Sequence, residues 1–145
     1  MGAILFLVLA LGLAAGVYAL SNSTTPGGTL NVQQISSYAS RAGFSGSALV
    51  TATAIALAES GGDPTAYNPE TAAGNPAGQG SVGLWQININ AHPEFAGQNL
   101  NDPQTNANAA YAVYLKAGYS FQPWATYTGG QYVSFLNDAS GGVQG

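Results

Sequence analysis

The sequence predicts a mainly α domain with one loop-rich lobe, preceded by a single N-terminal transmembrane helix. Three observations carry that expectation: the first twenty residues are almost wholly apolar, several later stretches repeat apolar residues at helical spacing, and a central stretch is dense in Gly, Pro and Asn. At 145 residues the chain has room for one compact domain and a short appendage, so a single site is expected.

The N-terminal element comes first. Gly2 to Leu20 carries no charged side chain, and as a helix would span roughly 28 Å, close to the hydrocarbon thickness of a bilayer. A cleavable signal peptide is the alternative, with Val17-Tyr18-Ala19 as a small-residue cleavage site. The absence of a basic leader, and an apolar run that fills nearly the whole segment, favour a retained anchor over residues 1–20. No Lys or Arg flanks it to set its orientation. Residues 21–28 are polar and rich in turn formers, as a flexible tether would be, and the domain is expected over 29–145.

Within the domain, Val32, Ile35, Tyr38, Ala39 and Ala42 recur at helical spacing before Gly43, which predicts a helix over about 30–42. Ser45-Gly46-Ser47 can cap a second helix, whose body from Ala48 to Ala58 is apolar on every face and therefore central. Residues 63–90 read as loops with a small β element around Leu84 to Ile89. Asp102-Pro103 opens a helix that runs to the Gly118 stop, and a last helix is expected over about Gly129 to Asn137.

Composition then narrows the chemistry. Only 6% of residues are Asp, Glu, Lys or Arg, against roughly a quarter in ordinary soluble proteins. Arg41 and Lys116 are the only basic side chains and the net charge is -4, so no cationic surface exists to hold a nucleic acid. The chain has no cysteine and one histidine, which excludes a disulfide scaffold, thiol catalysis and an ordinary zinc site. No cofactor is expected. The chemistry falls to carboxylates.

Glu59 stands out among them. It is the only acid between Met1 and Gly62 and follows the most hydrophobic helix of the domain. Apolar walls and the carbonyl dipoles of a helix C-terminus both disfavour a negative charge, so such a carboxyl can stay protonated and serve as a general acid. The plain alternative is a polar residue where a helix surfaces. Gly83 would let the backbone approach a ligand closely, or would merely complete a turn. Trp85 and Trp124 could stack on a flat ligand face or sit in the core. His92, before Pro93, reads as structural. Glu94, Asp102 and Asp138 read as surface or helix-end acids, leaving Asp63 and Glu70 as candidates for a second catalytic carboxylate.

Three segments occur in order: Glu59-Ser60-Gly61-Gly62; Gly83-Leu84-Trp85-Gln86-Ile87-Asn88; and Trp124-Ala125-Thr126-Tyr127 followed by Gly129-Gly130 and Tyr132. Together they resemble the motif set of the soluble lytic transglycosylase and goose-type lysozyme superfamily, over roughly Ile35 to Tyr132. Each is weak alone; the three in order and spacing are specific.

The resemblance implies a lysozyme-like fold. It makes Glu59 the catalytic acid/base, gives Ser60 a part in holding the site and Gln86 a part in substrate binding, and has Tyr127 hydrogen-bond the catalytic carboxylate. Taken singly, Gln86 can also be an amide that satisfies loop backbone, and Tyr127 a core aromatic. The resemblance further implies peptidoglycan glycan strands as partner. One glutamate would protonate the glycosidic oxygen, then deprotonate the C6 hydroxyl of N-acetylmuramic acid, giving a 1,6-anhydro product. A lysozyme would instead need a second group, and a non-catalytic peptidoglycan-binding structural protein that keeps the fold is the other alternative. A lipid membrane is the expected partner of residues 2–20. The setting would be a bacterial envelope or a lipid-containing phage virion, with other envelope or virion proteins as neighbours.

Overall fold

The computed structural model of the chain describes residues 28–69 and 80–144. The transmembrane helix expected over residues 1–20 lies outside the described residues, as does the tether up to residue 27. Among the described residues no helix is long and apolar enough to cross a membrane.

The first helix, α1 (Val32–Ala42), starts where Asn31 and Gln34 exchange side-chain and backbone bonds, Asn31 Oδ1 accepting from the Gln34 N–H at 2.9 Å and Gln34 Oε1 from the Asn31 N–H at 3.0 Å. This capping box satisfies two amides that the first turn leaves unpaired. The helix begins two residues later than the apolar spacing predicts because Asn31 takes the extended N-cap position; the Leu30 N–H before it donates to the Gly62 carbonyl at 2.8 Å. Its apolar stripe buries Ile35 and Ala39.

Helix α2 (Gly46–Ser60) is the central element. Ala52, Thr53, Ala54, Ile55 and Ala56 are all fully buried, as an all-round apolar pattern requires. It ends where Gly61 turns left-handed, which places Glu59 in its last turn. Helix α3 (Pro103–Lys116) opens as expected: Asp102 accepts from the Thr105 N–H and hydroxyl, each at 2.8 Å, with proline in the first turn.

The loop-rich lobe contains a small antiparallel sheet in the order β1 (Tyr67–Asn68), β2 (Ser81–Val82), β3 (Ile87–Asn88), with Tyr67 opposite Val82 and Val82 opposite Ile87. The strand expected around Leu84 to Ile89 is thus confined to Ile87–Asn88. Gly83 to Gln86 form the turn instead, with both Gly83 and Gln86 at positive φ.

The last helix differs more from expectation. Residues Ala125–Thr128 form a short helix α4, a 3-10 segment covers Gln131–Phe135, and α5 runs from Leu136 to Gln144. Gly130, at φ 81°, breaks the path. Helix α5 continues through Gly141 and Gly142 despite their poor helix propensity, because tertiary packing holds it. Gly142 lies so close to α1 that a Cβ there would come within 2.2 Å of Val32 Cγ1, and its carbonyl accepts from the buried Ser36 hydroxyl at 3.2 Å.

Adjacent glycines should therefore respond oppositely. Gly142→Val is expected to cost about 1–3 kcal/mol by overpacking the α1–α5 contact. Gly141→Ala, whose Cβ meets nothing within 4 Å, should stabilise by about 0.5–1 kcal/mol through helix propensity. Chemical denaturation of the two variants checks the difference in sign.

Candidate active site

Glu59 opens into a cavity of about 230 Å³ between the helical body and the small sheet. From the sheet side the walls are Ser81, Ile87, Asn88 and the turn residue Gln86; from the helical side they are Val113, Trp124 and Ala125, with His92 on the connecting loop. Among the described residues on these walls, Glu59 is the one acid. Both apolar and hydrogen-bonding groups line it, the makeup of a site for a neutral polar ligand such as a sugar.

The side chain of Glu59 is half-buried and fixed. Thr126 Oγ1, from the first turn of α4, donates to Glu59 Oε1 at 2.7 Å. The bond that the resemblance assigns to Tyr127 is therefore made by the preceding residue. Neighbouring helical residues project about 100° apart, so the two side chains cannot share a direction. The Tyr127 ring packs instead against Phe121 and Tyr132, with centroids 5.7 and 4.8 Å away.

Ser60 stabilises the end of α2. Its hydroxyl donates to the Ala56 carbonyl at 2.9 Å and accepts from the Gly62 N–H at 3.2 Å, tying the last turn to the chain that leaves it. Gln86 is both wall and tie. Its Nε2 donates to the Ala66 and Gly83 carbonyls, each at 3.0 Å, so the amide satisfies loop backbone while the residue lines the cavity. These bonds also anchor its φ of 47°, a left-handed conformation uncommon for a non-glycine residue.

Gly83 is not among the wall residues. A Cβ there would come within 2.2 Å of Asn106 Nδ2 and 2.4 Å of the Leu100 carbonyl. Its missing side chain makes room for Asn106 rather than for a sugar. Both tryptophans belong to the core, although Trp124 also reaches the cavity. Trp85 is 1% exposed and donates from Nε1 to the Ala52 carbonyl at 2.9 Å. Trp124 Nε1 donates to the Trp85 carbonyl at 2.9 Å.

Three residues whose importance the sequence did not reveal shape the site. Asn106, fully buried on α3, accepts from the Trp85 N–H at 2.9 Å and donates to the Val82 and Leu100 carbonyls at 2.8 and 2.9 Å. Thr126 reaches Glu59. His92, read from sequence as structural, stands in the cavity wall, with Nδ1 buried, without a hydrogen bond, and 3.5 Å from Glu94 Oε1.

Lys116 Nζ lies 3.2 Å from that same oxygen. The Glu94 carboxyl is held below its ordinary value by its own backbone N–H and by Lys116. An interior asparagine inside a helix of small residues was the one signal that could have marked Asn106, since a buried amide needs specific partners.

Of the two candidates for a second carboxylate, Asp63 turns into its own loop, accepting from the Thr65 N–H and hydroxyl at 2.8 Å each. Glu70 lies outside the described residues.

A carboxyl at a helix end, held by a hydroxyl and facing a polar cleft between a helical body and a small sheet, defines a glycosidase-like site. A family model described as a lysozyme-like domain matches residues 36–126, and the chain belongs to that family. Membership implies a peptidoglycan substrate and glycan-cleaving activity in general. No curated protein and no solved structure matches the chain.

Asn106→Ala removes three hydrogen bonds at once and leaves buried backbone groups unpaired. It is expected to destabilise the protein by about 3 kcal/mol or more, measurable as a lowered midpoint in urea denaturation.

Proposed function

We propose that the protein cleaves the β-1,4 bond between N-acetylmuramic acid and N-acetylglucosamine without water, as a lytic transglycosylase, with Glu59 as the single acid/base. The observation that supports this reading is the placement of Glu59 in the last turn of α2, in the cavity wall and bonded by Thr126 at 2.7 Å; it is the one acid among the described residues of that wall. Hydrolysis by either common route calls for two carboxyl groups across the scissile bond. A lytic transglycosylase needs one.

In that reaction the protonated Glu59 donates to the glycosidic oxygen as the bond to C1 breaks. The resulting carboxylate then takes the proton of the C6 hydroxyl as that oxygen attacks C1. The nucleophile is already part of the reacting sugar, so little translational entropy is lost at the second step. Gln86 would contact the glycan from the cavity wall, Tyr127 would brace α4 through its packing on Phe121 and Tyr132, and Ser60 would hold the turn that carries Glu59. The apolar segment 2–20 would keep the enzyme at a membrane next to the wall it cuts.

Mass spectrometry of purified peptidoglycan digested by the full-length chain tests the reading. Muropeptides one water lighter than hydrolytic products are expected, and Glu59→Gln should abolish them while leaving the fold intact. Products with reducing N-acetylmuramic acid ends would instead identify a lysozyme. Full activity in the Gln variant would remove Glu59 from the chemistry. Because only the protonated carboxyl can donate, kcat/KM should fall as pH rises through the ionisation of Glu59, and a pH–rate profile with no alkaline limb would count against its acid role.

A further inference from the structure

We propose that Thr126 is a positioning residue for the acid/base, biasing which oxygen of Glu59 carries the proton and holding the carboxylate ready for the second half of the reaction. The proposal rests on the reading of Glu59 as acid/base. Its basis is the hydrogen bond from Thr126 Oγ1 to Glu59 Oε1 at 2.7 Å, a short distance typical of a hydroxyl bonded to a carboxylate.

The geometry has two consequences. With Oε1 accepting from the threonine, the proton of the neutral acid is disfavoured on Oε1, so the hydroxyl biases which oxygen donates. Once that proton has left, the same bond stabilises the negative charge, because a donor to a carboxylate favours the ionised form. The threonine keeps its own proton throughout. It therefore balances a site that must be an acid in one step and a base in the next.

The threonine is itself held from behind. It lies two residues after Trp124, whose indole N–H is anchored on the Trp85 carbonyl. Trp85 in turn donates to the Ala52 carbonyl on α2, the helix that carries Glu59. Thr126 and Glu59 are thus set at a fixed separation by bonds that close on one helix. Among the described titratable groups around Glu59, His92 shares the cavity wall. Asp63 is bonded within its own loop, and Tyr127 and Tyr132 pack ring on ring.

The test compares Thr126→Val, which keeps the shape and removes the hydroxyl, with Thr126→Ser, which restores it. The assay is anhydro-muropeptide release, with Glu59→Gln alongside. Thr126→Val should lower kcat about ten- to a hundredfold with little change in KM, and Thr126→Ser should recover most of that loss. Removing the donor should also move the alkaline limb of the pH–rate profile to higher pH in Thr126→Val and leave it in place in Thr126→Ser.

A second readout does not depend on turnover. The chain has three glutamates, Glu59, Glu70 and Glu94, so carbon-13 labelling gives three carboxyl signals, and the one lost in Glu59→Gln is Glu59. Its titration midpoint should rise in Thr126→Val. If that variant does not fold, Thr126→Ala against Thr126→Ser supplies the same comparison.

Equal losses in Val and Ser with an unmoved midpoint would reduce Thr126 to packing and overturn the proposal, as would a fully active Val variant beside an inactive Glu59→Gln. Activity retained in Glu59→Gln would instead overturn the underlying reading.

Discussion

A ring of hydrogen bonds that leaves α2 and returns to it holds the site together. The Ala52 carbonyl on α2 accepts from the Trp85 indole, the Trp85 carbonyl accepts from the Trp124 indole, and two residues further on Thr126 donates to Glu59 at the end of the same helix. Each link is a buried or half-buried donor with a fixed direction, so the elements cannot slide past one another without leaving a polar group unpaired. Asn106 clamps the ring from outside, bonding the Trp85 N–H within the turn, the Val82 carbonyl that precedes the turn and the Leu100 carbonyl ahead of α3. The small sheet, two residues per strand, would be marginal by itself. Here it is held in place by the helices it faces.

This arrangement suits a chain with so few charges. Its interior polar contacts use indole, amide and hydroxyl groups, whose desolvation costs far less than that of an ion pair. The ion pair between Lys116 and Glu94 sits at the surface, where such pairs contribute little. Buried alanines on α1, α2 and α3 let the helices approach closely, and an aromatic cluster of Phe44, Tyr111, Tyr114 and Phe121 fills the space beside them. Tyr127 extends that cluster, and the residue before it carries the bond to the carboxylate.

The proposed chemistry asks more of a rigid frame around one carboxyl group than of a large number of functional groups. In that proposal an acid that later acts as a base would gain from a donor that stays still between the two steps, since preorganised dipoles need no rearrangement when charge develops. The sheet side of the cavity supplies a hydroxyl, two amides and Ile87, and the helical side an indole and aliphatic groups. A sugar, with polar edges and apolar faces, matches that mixed lining.

The helices were legible in the sequence because their signals are local: apolar spacing and a glycine stop for α1, an all-round apolar run for α2, an aspartate-proline start for α3. Glu59 was legible because it is isolated in sequence and followed by a helix-ending glycine pair. Interactions between residues far apart in the chain were not. Whether Thr126 or Tyr127 meets Glu59 depends on the rotation of a four-residue helix, which the aromatic packing behind it decides. Whether Gly83 faces a ligand or Asn106 depends on how the turn lies against α3, and His92 enters the cavity wall through a loop that Asn88 shapes by accepting from the Asn90 and Ala91 N–H groups. The path of α5 through two glycines depends on contact with α1. Sequence by itself determined the helical elements and the acid at the end of the central one, since both follow from near neighbours. The tertiary structure decided which side chains surround that acid, because direction and distance across the fold are set by packing that no local pattern encodes.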